Sequence, residues 1–154
     1  MADFKHILIA VDFGESSDEA TDLAIDLATK FGAALTLVHT YEIPSYAYPN
    51  ASFLVVDLLA TIEQAARQQL DKALESVRAR FRGAKAVLRR GAPSTEILAA
   101  IDEIHADLVV VGTHGRRGIG RALLGSVAEK IVRLSPVPVL TVRHAGTAAK
   151  KQPV

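Results

Sequence analysis

Short apolar runs recur along the chain, each separated from the next by an amphipathic stretch. The runs are Ile7 to Val11, Ala34 to His39, Lys85 to Arg90, Asp107 to Val111 and Val137 to Val142. The first is continuously apolar rather than alternating, as expected of a parallel strand covered on both faces. Between the runs the apolar residues recur every three or four positions, the period of a helix with one buried face. Those faces are Ala20, Leu23, Ala24, Leu27, Ala28 and Phe31, then Leu59, Ile62, Ala66, Leu70, Ala73, Val77 and Phe81, then Ile97, Leu98, Ile101 and Ile104, then Val127, Ile131 and Leu134. Strand, crossover helix and strand make right-handed βαβ units, which bring the carboxyl ends of the strands to one edge. The pattern predicts an α/β fold: an open, doubly wound, five-stranded parallel sheet with four helices, Rossmann-like in class.

Local signals set the boundaries. Ser16 with Glu19, and Ser126 with Glu129, have the spacing of capping boxes and predict Ser16 and Ser126 as N-caps. Gly32 suits a left-handed C-terminal position after the first helix, and Ser135-Pro136 stops the last one. Pro138 removes a ladder donor, so the final strand belongs at a sheet edge with the proline directed away from its neighbour. The third run is less apolar and also suits an edge. Thr40 to Val56, with Tyr41, Tyr46, Tyr48, Pro44 and Pro49, predicts a long irregular connection. Such a loop either packs its aromatics on the domain or serves as a lid or partner surface.

A chain of 154 residues, 49% hydrophobic and 23% charged, fits one domain over 1–144, with a polar, lysine-bearing tail at 145–154 expected to be disordered. The net charge of +1 offers no global attraction to nucleic acid or to an anionic membrane. Absence of cysteine excludes disulfides and thiolate chemistry. With no apolar leader in the sequence given, a cytoplasmic location is expected.

The charge that does need a local explanation is Arg116, Arg117 and Arg121, which follow the fourth strand inside a glycine-rich stretch from Gly112 to Ser126. Glycines let the backbone approach an anion, and free amides at a helix N-terminus point at it, so strand, glycine loop and helix together suit a phosphate cradle. Two related patterns fail. Gly115 to Gly120 begins like a P-loop, but Arg121-Ala122 stand where Lys and Ser/Thr are required, and Leu123 replaces the third glycine of a dinucleotide fingerprint.

The spacing Gly112-x-x-Gly115, nine residues, Gly125-Ser126 resembles the ATP-binding motif of the universal stress protein family. The opening strand ending at Asp12 and the closing Pro-Val-Pro-Val-Leu strand extend that resemblance over nearly the whole chain. It implies strand order 3-2-1-4-5, with the switch point between the strands that end in Asp12 and Gly112. It further implies that Ala10, Val11 and Asp12 flank the nucleotide with the acid towards the ribose, that Thr40 and Val111 line the adenine, and that Gly112, Gly115, Gly125, Ser126 and Val127 wrap ribose and phosphates. Arg116 beside Arg117 makes this loop basic and suits a grip on the outer phosphates. His114 either donates to a phosphate or is simply solvated. The implied cofactor is ATP, with Mg²⁺ held mainly by the phosphates.

The function expected is an ATP-binding regulatory module in the stress response, a homodimer through Val137 to Val142 that acts on a regulatory protein partner. The alternative is a slow ATPase or an adenylyl-transferring enzyme on the same fold. Against transfer, neither an SGGxDS loop nor an HxGH signature occurs, and a phosphoacceptor receiver would need an Asp where Arg90-Gly91 stand.

Overall fold

The computed structural model describes residues 3–44, 53–114 and 124–144. In chain order the elements are β1 (His6–Ala10), α1 (Glu15–Phe31), β2 (Ala34–Tyr41), α2 (Phe53–Arg78), β3 (Lys85–Arg90), α3 (Pro93–Glu103), β4 (Leu108–Gly112), α4 (Ser126–Leu134) and β5 (Val139–Val142). The five strands form one sheet in the order β3-β2-β1-β4-β5. Every pairing is parallel, with Ala10 opposite both Val38 and Val111. Order, parallel sense and the two edge strands are those expected.

Side chains alternate across a strand, so one strand feeds two cores. Ile7 and Ile9 of β1, with Leu35, Leu37, Leu108 and Val110, pack against Ala20, Ala24, Ile25 and Ala28 of α1 and Leu70 and Val77 of α2. Leu8 and Ala10, with Val38, Val109 and Val111, meet Ile97, Ala100 and Ile101 of α3 and Ala128 and Ile131 of α4. Ile7, Leu8 and Ile9 are fully buried; removing each such side chain from water contributes roughly 1.5–3 kcal/mol. No helix among the described residues is long and apolar enough to cross a membrane.

Several boundaries differ from the sequence expectation. Gly14, not Ser16, is the N-cap of α1, and no side-chain capping bond forms there. Phe13 turns the chain at φ +65°, which starts the helix early. Ser16 and Ser17 are buried within its first turn. Gly125, not Ser126, is the N-cap of α4. Its amide donates to the Thr113 carbonyl at 2.6 Å, and a Cβ there would lie 2.8 Å from that same oxygen, so only glycine fits. Gly32 does adopt the left-handed conformation expected of it, at φ 64°.

The connection between β2 and α2 is shorter than expected, because β2 runs to Tyr41 and α2 starts at Phe53. No proline or glycine interrupts Phe53 to Arg78, so the helix extends through the apolar Phe53-Leu54-Val55-Val56 that the sequence reading assigned to the loop. Tyr46 and Tyr48 lie outside the described residues, as does the tail expected at 145–154. Pro138 precedes β5 instead of lying inside it. Its carbonyl faces β4 and accepts from the Val109 amide at 3.0 Å, so its missing donor falls before the ladder begins. Leu134, expected to be buried, is 57% exposed at the end of α4. Phe31 lies at the margin of the core, edge-on to Phe4 with ring centroids 5.3 Å apart.

Candidate functional site

Strand order reverses between β1 and β4, and open α/β sheets bind ligands outside the carboxyl ends of strands at such a point. A cavity of about 790 Å³ lies there, within the range of about 300–1,000 Å³ usual for small-molecule sites. Its walls include Ala10, Val11 and Asp12 from the end of β1, Thr40 from β2, Val111, Gly112 and His114 from β4 and beyond, and Gly125, Ser126 and Val127 at the start of α4. Every sequence-expected site residue that the structure describes is therefore in one wall. Gly115 and Arg116, with Arg117 and Arg121, lie outside the described residues.

The turn after β1 is held by its own polar groups. The Asp12 amide donates to Ser17 Oγ at 3.1 Å, while Asp12 Oδ1 accepts from the Gly14 amide at 2.8 Å. His39 Nδ1 stands 2.7 Å from the Val11 carbonyl; because a carbonyl only accepts, the Nδ1–H donates. Phe13 packs on that imidazole with ring centroids 4.4 Å apart. On the opposite side, Thr113 is buried, its amide donates to the Val142 carbonyl at 2.9 Å, and its Oγ1 lies 3.0 Å from His114 Nδ1.

The start of α4 suits an anion. The amides of Ser126, Val127 and Ala128 fall in its first turn, where no intrahelical acceptor is available. The helix dipole adds partial positive charge. Since Ser126 is not the N-cap, its hydroxyl makes no capping bond, and the residue faces the cavity from an exposed position. The other end of the cavity is mostly apolar, lined by Val38, Pro93 and Ile97 beside Ala10 and Val111. Thr40 of β2 and Gly112 of β4 have β1 between them, a separation of roughly 10 Å at about 4.8 Å per strand. The cavity thus has an apolar end over β2 and an anion-suited end over β4.

Sequence reasoning missed Ser17, Val38, His39, Glu42, Pro93, Ile97, Thr113, Leu124 and Ala128 of this lining. Pro93 and Ile97 read only as a helix start and a core position. A smaller cavity of about 290 Å³ lies between α1 and α2 and shares Val11 and Ser17 with the first. Asp18 on its rim has a carboxyl pushed above the usual range, first by burial and then by the charges of Asp22, Asp12 and Glu15. Asp22 is itself paired with Arg80 at 2.5 Å.

The model of the universal stress protein family matches residues 3–143. The chain belongs to that family. A universal stress protein of Thermus aquaticus is 36% identical over 146 residues, covering 91% of this chain and 99% of its own. The solved universal stress protein of Lactobacillus plantarum superposes with a TM-score of 0.81 over 93% of this chain and 100% of its own, at 23% identity, and so shares the fold. Another universal stress protein, solved in complex with cAMP, is 28% identical with a TM-score of 0.68, covering 92% of this chain and 98% of its own.

Proposed function

We propose that this universal stress protein binds ATP in the cavity at the β1/β4 switch point and acts as a nucleotide-dependent regulatory module. The observation that carries the reading is the convergence of residues distant in sequence, Asp12, Thr40, Gly112 and Ser126, on one cavity that is apolar over β2 and rich in free amides over β4. A nucleoside triphosphate has that same polarity. Adenine lies against Ala10, Val38, Ile97 and Val111, the ribose near Asp12, and the phosphates at Gly112, Gly125, Ser126 and Val127. Gly115, Arg116 and His114 complete the phosphate end. The related protein solved with cAMP supports an adenine nucleotide.

Among the described residues no three His, Asp or Glu side chains are grouped as a metal site. Magnesium accompanying ATP would be held by the phosphates and water. Bound ATP serves as a state instead of a fuel. The family domain spans 1–144, pairs with a second copy through β5, and presents its nucleotide state to a regulatory protein in the cytoplasm.

The reading is tested by mass spectrometry of what co-purifies with the folded chain, together with melting in added ATP. At 100 times Kd, linkage stabilises by about 2.7 kcal/mol, a rise in Tm of roughly 5–10 °C at this size. Unchanged melting in millimolar ATP, with no nucleotide carried through purification, contradicts it.

A further inference from the structure

Glu42 follows β2 directly and lines the cavity from an exposed position. Val38 packs into the core shared with Ala10, Val111 and Ile97, and strand alternation puts Thr40 on that same face, two residues before Glu42. The same cavity is lined by Ala10, Val38, Pro93, Ile97 and Val111, whose side chains offer a base only apolar contact, and by Thr40, whose hydroxyl is neutral and can donate as well as accept. Among the described residues the Glu42 carboxylate has no hydrogen-bond or ion-pair partner.

An ionised carboxylate only accepts hydrogen bonds. At the base end of the cavity it therefore selects for a donor on the base edge and against a carbonyl. We propose that Glu42 is a specificity residue that accepts a hydrogen bond from the exocyclic 6-amino group of adenine and so discriminates against 6-oxopurines bound in the same orientation. The inference rests on the nucleotide reading above and adds to it the atom that sets base preference. Asp12, the other carboxylate of the described lining, stands after β1, the strand between β2 and β4, with its Oδ1 on the Gly14 amide.

The experiment compares ATP with ITP, which carries a carbonyl in place of the amino group and is otherwise the same triphosphate. Both are titrated into the full chain and into Glu42→Gln, whose amide can accept from the amino group or donate to the carbonyl. The wild-type chain should prefer ATP by about tenfold or more, the low end for a hydrogen bond to a charged group. Glu42→Gln should bring the two affinities to within about threefold, with the ligand-free Tm unchanged because the side chain supports no described contact. Equal binding of ATP and ITP by the wild type, or a preference that survives Glu42→Gln, overturns the assignment while leaving ATP binding intact. Failure of the wild-type chain to bind either nucleotide overturns the nucleotide reading itself.

Discussion

Gly112 and Ser16 meet where the end of β4 passes under the start of α1: a Cβ on Gly112 would lie 2.7 Å from Ser16 Cβ and 2.8 Å from the Ser16 carbonyl carbon. The glycine that opens the motif is thus required for packing, independent of any ligand. Gly112→Ala should destabilise the ligand-free protein by about 1–3 kcal/mol, the usual cost of overpacking. Urea unfolding with an unchanged midpoint would contradict the contact.

Asp18 gives a pH dependence whose sign is opposite to that of a salt-bridged acid. Its folded pKa is raised, by burial first and then by Asp22, Asp12 and Glu15, so the ionised form disfavours folding. That penalty is fully present above the folded pKa and disappears as pH falls below the unfolded value of about 3.9. Asp18→Asn should therefore stabilise the protein at pH 7, and the gain should shrink as pH is lowered towards 4. Denaturant midpoints at several pH values check it, and a gain that grows on acidification would contradict it.

The homodimer reading concerns the outer edge of β5. Carbonyls of Pro138 and Val142 face β4, where they accept from Val109 and Thr113, so the alternate Val139 and Thr141 present their backbone groups outward. An uncovered apolar edge invites pairing, and two copies about a two-fold axis would close it. Thr141→Pro removes an outward donor and spares the β4 ladder. It should shift sedimentation from dimer towards monomer with circular dichroism retained. A wild-type monomer at tens of micromolar would contradict the dimer.

Hydrolysis should be absent or far below the roughly 1–100 s⁻¹ of kinases, because phosphoryl transfer needs a group that orients the nucleophile in line with the outer phosphate. The motif loop holds no Asp, Glu or Gln between Gly112 and Ser126, and Asp12, its Oδ1 on the Gly14 amide, stands at the ribose in the proposed pose and not at the outer phosphate. Turnover near 1 s⁻¹ in a contaminant-free preparation, lost in His114→Ala with ATP binding retained, would place the protein among enzymes.

The sheet was legible because burial on both faces leaves continuous apolar runs, as in Ile7 to Val11, and because the glycine spacing marks the β4 to α4 junction. The starts of α1, α2 and α4 were not. Ser16 and Ser126 have the right spacing for caps, but Phe13 turns the chain two residues early and the Gly125 amide is committed to Thr113, so tertiary contacts override the local signal. The cavity lining was legible at Gly112, Gly125 and Ser126 through the glycine spacing, and at Ala10 to Asp12 and Thr40 only through the family resemblance. His39, Pro93 and Ile97 were missed because they reach the cavity only through packing of β2 and α3, for which a single sequence carries no local mark.

The most direct measurement is calorimetric titration of ATP into the nucleotide-stripped, folded chain. Saturable binding of one ATP per chain, abolished by Gly115→Val while the fold survives, is the result expected. A folded chain that shows no saturable binding at millimolar ATP, or whose binding is indifferent to Gly115→Val, would contradict the assignment of this cavity as an ATP site.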